Sequence, residues 1–226
     1  MARPLRIQYP NAYYHVTCRG NAKEDIFSDN EDRKIFLTLL HRSVITLEVE
    51  ILSYVLMNNH FHLLLKTPRG NLSEFMRHFN ISYTSYFNRH HNRVGHLYQG
   101  RFKAFLIEAD SYLLEVSRYV HLNSVRTHEH EKMPLKEKLS FLRSYAWNSL
   151  PGYIKKDKRE PCVNYKEILS YLGGDTPSAC KQYTAFVLEG LRQRLADPFI
   201  IAKGHGIIGR SLFVEPGFCI STPLNL

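Results

Sequence analysis

Cysteine is scarce in this 226-residue chain: there are four, and no two form a C-x-x-C pair. That excludes a zinc knuckle and a disulfide-framed secreted domain, and points to a reducing, cytoplasmic setting. Long apolar runs are missing too. No stretch approaches the roughly 18 apolar residues of a membrane helix, and the opening MARPLRIQYPNAYYHV has no hydrophobic block. Neither a membrane span nor a secretory leader is expected. Glycine (12) and proline (10) are too few for a fibrous chain. Acidic residues run short as well: 21 Asp+Glu against 30 Lys+Arg leave a formal charge of +9. The deficit is local, because residues 75–107 contain no Asp or Glu at all.

What is present suits a globular fold: 44% hydrophobic and 12% aromatic residues, enough for one good core. The excess of cations favours a polyanionic partner, since each neutralised phosphate releases counterions. Within the acid-free stretch Arg77, Arg89, Arg93, Arg101 and Lys103 are interleaved with aromatic residues. Cations for phosphates and π-faces for bases are what unpaired nucleic acid requires. Part of that pattern is structural: Leu72, Phe75, Met76, Phe79, Tyr83 and Phe87 recur at three- and four-residue spacing, as on a helix burying one face. Tyr98 and the cations of 88–103 are left as the nucleic-acid candidates.

Residues 12–18 mix aromatic and β-branched side chains between Pro10-Asn11 and Arg19-Gly20-Asn21, which predicts a strand and a turn. Ser28-Asp29-Asn30-Glu31 reads as a capping box before a helical repeat from Ile35 to Leu47. Apolar runs at 50–57 and 60–66 flank Asn58-Asn59, a tight connection between antiparallel strands. A second helix starts at Asn71 and ends among residues 88–92. A fourth strand follows at 102–109, then a third helix capped by Asp110 or Ser111 and running to about Val125. The order β-α-β-β-α-β-α matches the α+β, ferredoxin-like split βαβ: an antiparallel sheet with two helices on one face. The expected division is a main domain at 1–152 and an appendage at 153–226. The appendage opens with an exposed linker at Lys155–Arg159 and holds helices near 165–172 and 178–195. Gly204-His205-Gly206-Ile207-Ile208-Gly209 formally fits G-x-G-x-x-G, but too little chain follows for a nucleotide-binding βαβ unit, so it reads as a glycine turn.

Chemistry concentrates at His60-Phe61-His62. Side chains alternate across a strand, so the two imidazoles share one face and Phe61 takes the other. Two neutral imidazoles can chelate one divalent ion, although His-x-His also arises by chance in a chain with 12 His. On the third helix Leu113, Val116 and Val120 form the buried stripe, with Tyr112, Tyr119 and Asn123 on its flank. An Asn carbonyl could complete a His-His-Asn site, and a phenol one turn away could attack a phosphate held there. Spacing alone leaves Tyr112 and Tyr119 both open, and either ring suits a half-buried core position.

These residues carry a resemblance. His60-Phe61-His62 is similar to the histidine-hydrophobe-histidine motif of the HUH nucleases, whose fold is ferredoxin-like. Four segments sharpen it: Tyr14-His15-Val16 with Arg19-Gly20-Asn21, Leu56 to Leu64, Tyr98-Gln99-Gly100-Arg101-Phe102, and Arg118 to Arg126. Together they resemble the single-tyrosine HUH transposases, especially REP-associated tyrosine transposases, over about residues 5–152. One departure is Ser124, where the family usually has Pro. The resemblance implies Tyr119 as nucleophile, His60, His62 and Asn123 as ligands of Mg²⁺ or Mn²⁺, and single-stranded or hairpin DNA as partner. Cleavage through a 5′-phosphotyrosine is implied as well, by a monomer or a homodimer. Arg101, Lys103, Arg118 and Arg126 lie close to these positions in sequence and are the candidate DNA-phosphate contacts. Two other readings use the same residues: a non-catalytic single-strand binding module, and a small-molecule metallohydrolase that would need Glu108 beside the metal.

Overall fold

The computed structural model describes residues 6–130, 132–193, 199 and 206–209. Asn11 turns the chain in left-handed backbone (φ 64°) into strand β1 (Ala12–Arg19). Helix α1 (Asn30–Leu47) begins where the Asp29 carboxylate accepts the Asp32 N–H at 2.8 Å, and ends at the left-handed Glu48. Strands β2 (Glu50–Met57) and β3 (His60–Thr67) pair antiparallel around Asn58-Asn59. Helix α2 (Leu72–His90), strand β4 (Lys103–Ile107) and helix α3 (Ala109–Leu122) follow in the expected order. Helices α4 (Leu135–Ser144), α5 (Leu150–Ile154), α6 (Tyr165–Ser170) and α7 (Pro177–Arg192) complete the helical part. Among the described residues no helix is long and apolar enough to cross a membrane.

β1 pairs antiparallel with β3 on one side and β4 on the other, placing it at the centre as the split βαβ requires. A short strand β5 (Ile207–Ile208) adds parallel to β4, so the sheet runs β2-β3-β1-β4-β5 and is mixed. The stretch 206–209, expected as a simple turn, thus starts at Gly206 (φ 70°) and continues as an edge strand.

The two faces are covered differently. On one, Phe61 of β3 meets Phe36 of α1 and Phe79 of α2 at ring separations of 5.0 and 6.1 Å. Tyr83 stands edge-on to Phe36 and spends its hydroxyl on the Ile26 carbonyl at 2.6 Å, so this core leaves no polar group of Tyr83 unpaired. The opposite face takes α3, which is backed by α7 through the Ser117 and Tyr183 hydroxyls and through Arg118 lying 4.0 Å over the Phe186 ring.

Three local expectations change. α3 begins at Ala109 with Glu108 at its cap position, two or three residues before the anticipated Asp110 or Ser111. Lys155–Arg159 is exposed at 155–158 as expected, but its end is fastened: Arg159 donates two hydrogen bonds to the Asp175 carboxylate, at 2.8 and 2.7 Å. Tyr98, a candidate base-stacking ring, is only 8% exposed and packs edge-on to Phe61, because a backbone bridge to Gly20 pulls it under the sheet.

Candidate functional site

β3 places His60 and His62 on the α3 side of the sheet, and the register puts Arg19 of β1 opposite His60 and Thr17 opposite His62. Gly20 permits this strand end: a Cβ there would meet the Glu24 carbonyl oxygen at 2.0 Å, and its N–H donates to Asn59 O at 2.8 Å. α3 then lays Tyr119 against the histidines. The Tyr119 ring stands edge-on to His62 at 6.0 Å and to His15 at 5.8 Å. His60 and His62 are themselves edge-on at 5.1 Å.

His60, His62, Tyr119 and Asn123 line one cavity of about 700 Å³, together with Arg101 and Lys103. Arg6, Arg19 and Gln99 also line it; the sequence analysis quoted Arg19 and Gln99 only within matching segments and gave none of the three a site role, and Arg6 is held there by a hydrogen bond to Phe102 O at 2.5 Å. Of the two tyrosines left open by helical spacing, the cavity includes Tyr119 and not Tyr112. Glu108 is not among its lining residues. Arg118 is turned away: it is 8% exposed, paired with Glu115 and packed on Phe186. Arg126 lies exposed with its guanidinium 5.8 Å from the Tyr119 ring centre and lines a neighbouring cavity of about 640 Å³.

Ring nitrogens and amide atoms are committed in a way that suits a cation. His60 Nδ1 lies 2.7 Å from Asn59 Oδ1, which can only accept, so the His60 proton sits on Nδ1 and Nε2 keeps a lone pair. His62 Nδ1 is taken up by His15 Nε2 at 2.8 Å, leaving Nε2 as the other nitrogen. Asn123 donates its amide to the Tyr119 carbonyl at 2.8 Å, which leaves Oδ1 as the atom for an electropositive partner. Burial drives the imidazoles neutral: His60 is pushed down to about 4, helped by Arg19, and His62 well below the ordinary range, with His15 and His60 adding to the effect. Two imidazole nitrogens and an amide oxygen form a donor set that fits Mg²⁺ or Mn²⁺, with the softer nitrogens favouring Mn²⁺.

Two residues to which the sequence analysis gave no role close the site from behind. His15 is 2% exposed and contacts the rings of His62, Tyr119 and Phe105. Phe199 lies 4.2 Å from the His15 ring and 4.9 Å from that of Tyr119.

Among the described residues a second group can hold a metal ion: Asp32, His90 and His91, whose donor atoms lie within 4.8 Å of one another. It sits at the start of α1 and the end of α2. Both oxygens of the fully buried Asp32 carboxylate approach His91 Nε2, at 2.9 and 3.0 Å, and one also accepts the Ser28 N–H. None of its members was chosen from the sequence.

No curated protein sequence matches the chain significantly. Among solved structures, a REP-associated tyrosine transposase bound to a REP hairpin superposes with a TM-score of 0.55 at 13% identity, covering 73% of this chain and 93% of that one. A candidate transposase from Deinococcus radiodurans R1 gives 0.38 at 14% identity, covering 53% and 95%. The tRNA(His) guanylyltransferase of Saccharomyces cerevisiae gives 0.41 at 12%, covering 87% and 86%. The first of these shares the fold. The profile described as "Transposase IS200 like" matches residues 8–123, from the approach to β1 through Asn123, and on that match the chain belongs to the IS200-like transposase family.

Proposed function

We propose that this protein is a transposase-type endonuclease and strand transferase acting on single-stranded DNA, with Tyr119 as nucleophile. One observation carries the reading: the Tyr119 ring stands beside the His60–His62 pair in a cavity rimmed by Arg101 and Lys103. The family membership and the hairpin-bound relative support it.

In this reading Tyr119 Oη forms a bond to the scissile phosphorus while the P–O3′ bond breaks. The phenolic proton is lost and the departing 3′ oxygen gains one, leaving a 5′-phosphotyrosine and a free 3′-OH. The covalent link preserves the ester bond, so attack by a second 3′-OH reverses the step and joins strands with no external energy source. Arg101 and Lys103 place the phosphates, and Arg6 and Arg19 add positive potential along the same wall. His60, His62 and Asn123 are the residues that would hold Mg²⁺ or Mn²⁺. When bound, that ion supplies charge stabilisation at the phosphate. Hairpin DNA is the proposed partner. Residues 1–152 form the nuclease unit, and α7 buttresses the nucleophile's helix from behind.

The test is a suicide oligonucleotide incubated with wild type and Tyr119→Phe. A covalent protein–DNA species with wild type and none with the variant is expected. An adduct that survives in Tyr119→Phe rejects the assignment, and binding without any adduct, indifferent to chelator, favours a passive single-strand binding module.

A further inference from the structure

We propose that His15 is a positioning residue for the cation site: it accepts the Nδ1 proton of His62 and so holds the His62 Nε2 lone pair toward the cavity. The inference rests on the reading of His60 and His62 as cation ligands and adds the device that makes the second one competent.

The geometry comes from the strand register. Thr17 of β1 is directly opposite His62, so His15 is its diagonal neighbour on the same face. The two rings stack at 5.0 Å with 23° between their planes, bringing His15 Nε2 to 2.8 Å from His62 Nδ1. One proton occupies that contact. With the proton on His62, its Nε2 is a lone pair and a ligand. With the proton on His15, the His62 proton must sit on Nε2 and the nitrogen nearest the cavity cannot bind a cation. His60 meets the same requirement differently, because the Asn59 side-chain oxygen can only accept and leaves no choice of tautomer.

Among the described residues His15 has no second polar partner: its Nδ1 is buried without a hydrogen bond to any of them, among the rings of Phe105, Tyr119 and Phe199. A buried polar nitrogen left unpaired is destabilising. Packing alone would be better served by Phe or Leu at this position. Among the described residues the contact with His62 is the one hydrogen bond that this imidazole makes, and a hydrogen bond of this kind behind a ligating histidine sets its tautomer and basicity.

The experiment measures Mn²⁺ binding by loss of the free-ion EPR signal in wild type, His15→Phe and His15→Gln. Binding that persists in a His60→Ala/His62→Ala double variant is subtracted. His15→Phe keeps a ring and lacks an acceptor, so Mn²⁺ affinity should fall about 10- to 100-fold. His15→Gln places an amide oxygen near the missing nitrogen and should recover most of it. In parallel, ¹⁵N imidazole shifts of metal-free wild type should show the His62 proton on Nδ1, a readout independent of loading and of the variants' folding. Equal Mn²⁺ affinity in His15→Phe, or a His62 proton on Nε2, overturns the inference while leaving the nuclease reading intact. Absence of any site-specific Mn²⁺ binding in wild type overturns both.

Discussion

Successive residues of β3 serve two unlike regions of the molecule. Phe61 looks toward α1 and α2, where it is fully buried among Phe36, Phe79 and Tyr98. His60 and His62 look the other way, into a cavity shared with Tyr119 and lined by cations. The first region is close-packed hydrocarbon that a missing group would destabilise; the second keeps polar atoms whose bonding capacity is not consumed by the fold. A two-residue period lets one strand anchor the core and present reactive groups without compromise between them. The buried histidines follow the same division: His62 and His15 on the sheet, and His121 on α3, all belong to the α3 side.

The sharpest way to break this comparison is to truncate neighbours on β3. Phe61→Ala should cost about 3–5 kcal/mol in urea unfolding, with adduct formation per folded molecule nearly unchanged. His60→Ala should do the reverse, holding the unfolding midpoint within a small margin while adduct yield falls on the order of 100-fold. Equal losses of stability in the two variants would mean that the His face is simply more core.

A smaller effect separates the faces by pH. Burial lowers His121 to about 4, against an ordinary value near 6.5, and its Nδ1 hydrogen bond to Asn148 at 2.7 Å only partly offsets this. Between those values the unfolded chain binds more protons than the folded one, so stability is complete above pH 6.5 and declines as pH falls toward 4. The contribution of this one residue is at most about 3 kcal/mol. His121→Gln should flatten the decline in the pH dependence of the urea midpoint; an unchanged slope would show that other groups control it.

The smallest effect concerns charge. Arg101→Ala with Lys103→Ala should reduce the salt dependence of single-stranded DNA binding by about 1.4 in log–log slope, at roughly 0.7 for each phosphate no longer neutralised. Lys34→Ala with Arg42→Ala, exposed on α1 across the sheet, should leave that slope alone. Fluorescence anisotropy titrations at several salt concentrations distinguish the two pairs.

Much of the fold was legible because its signals are local. The start of α1, which the structure caps with Asp29 rather than with Ser28 of the expected Ser28-to-Glu31 box, the Asn58-Asn59 connection and the alternation through His60-Phe61-His62 each depend on residues a few positions apart. The partner of His15 lies 47 residues away, and although Tyr14-His15-Val16 belongs to the resemblance, the alternation within β1 assigns this imidazole no role. Arg118 looked like a phosphate contact on sequence proximity alone, yet α7 supplies Phe186 and converts it into a packing cation. Tyr98 had the composition of a stacking ring and was drawn into the core by a bridge to Gly20.

Periodicity along the chain determined which residues share a face, because backbone geometry repeats every two residues in a strand and every 3.6 in a helix. It therefore reached the element order, the paired imidazoles and the flank holding Tyr112, Tyr119 and Asn123. Which flank residue meets the imidazoles, which histidine stands behind them and which arginines face the cavity were decided only when strand register and helix docking fixed distances between remote segments. Those distances arise from packing across the sheet, a property that no short window of sequence contains.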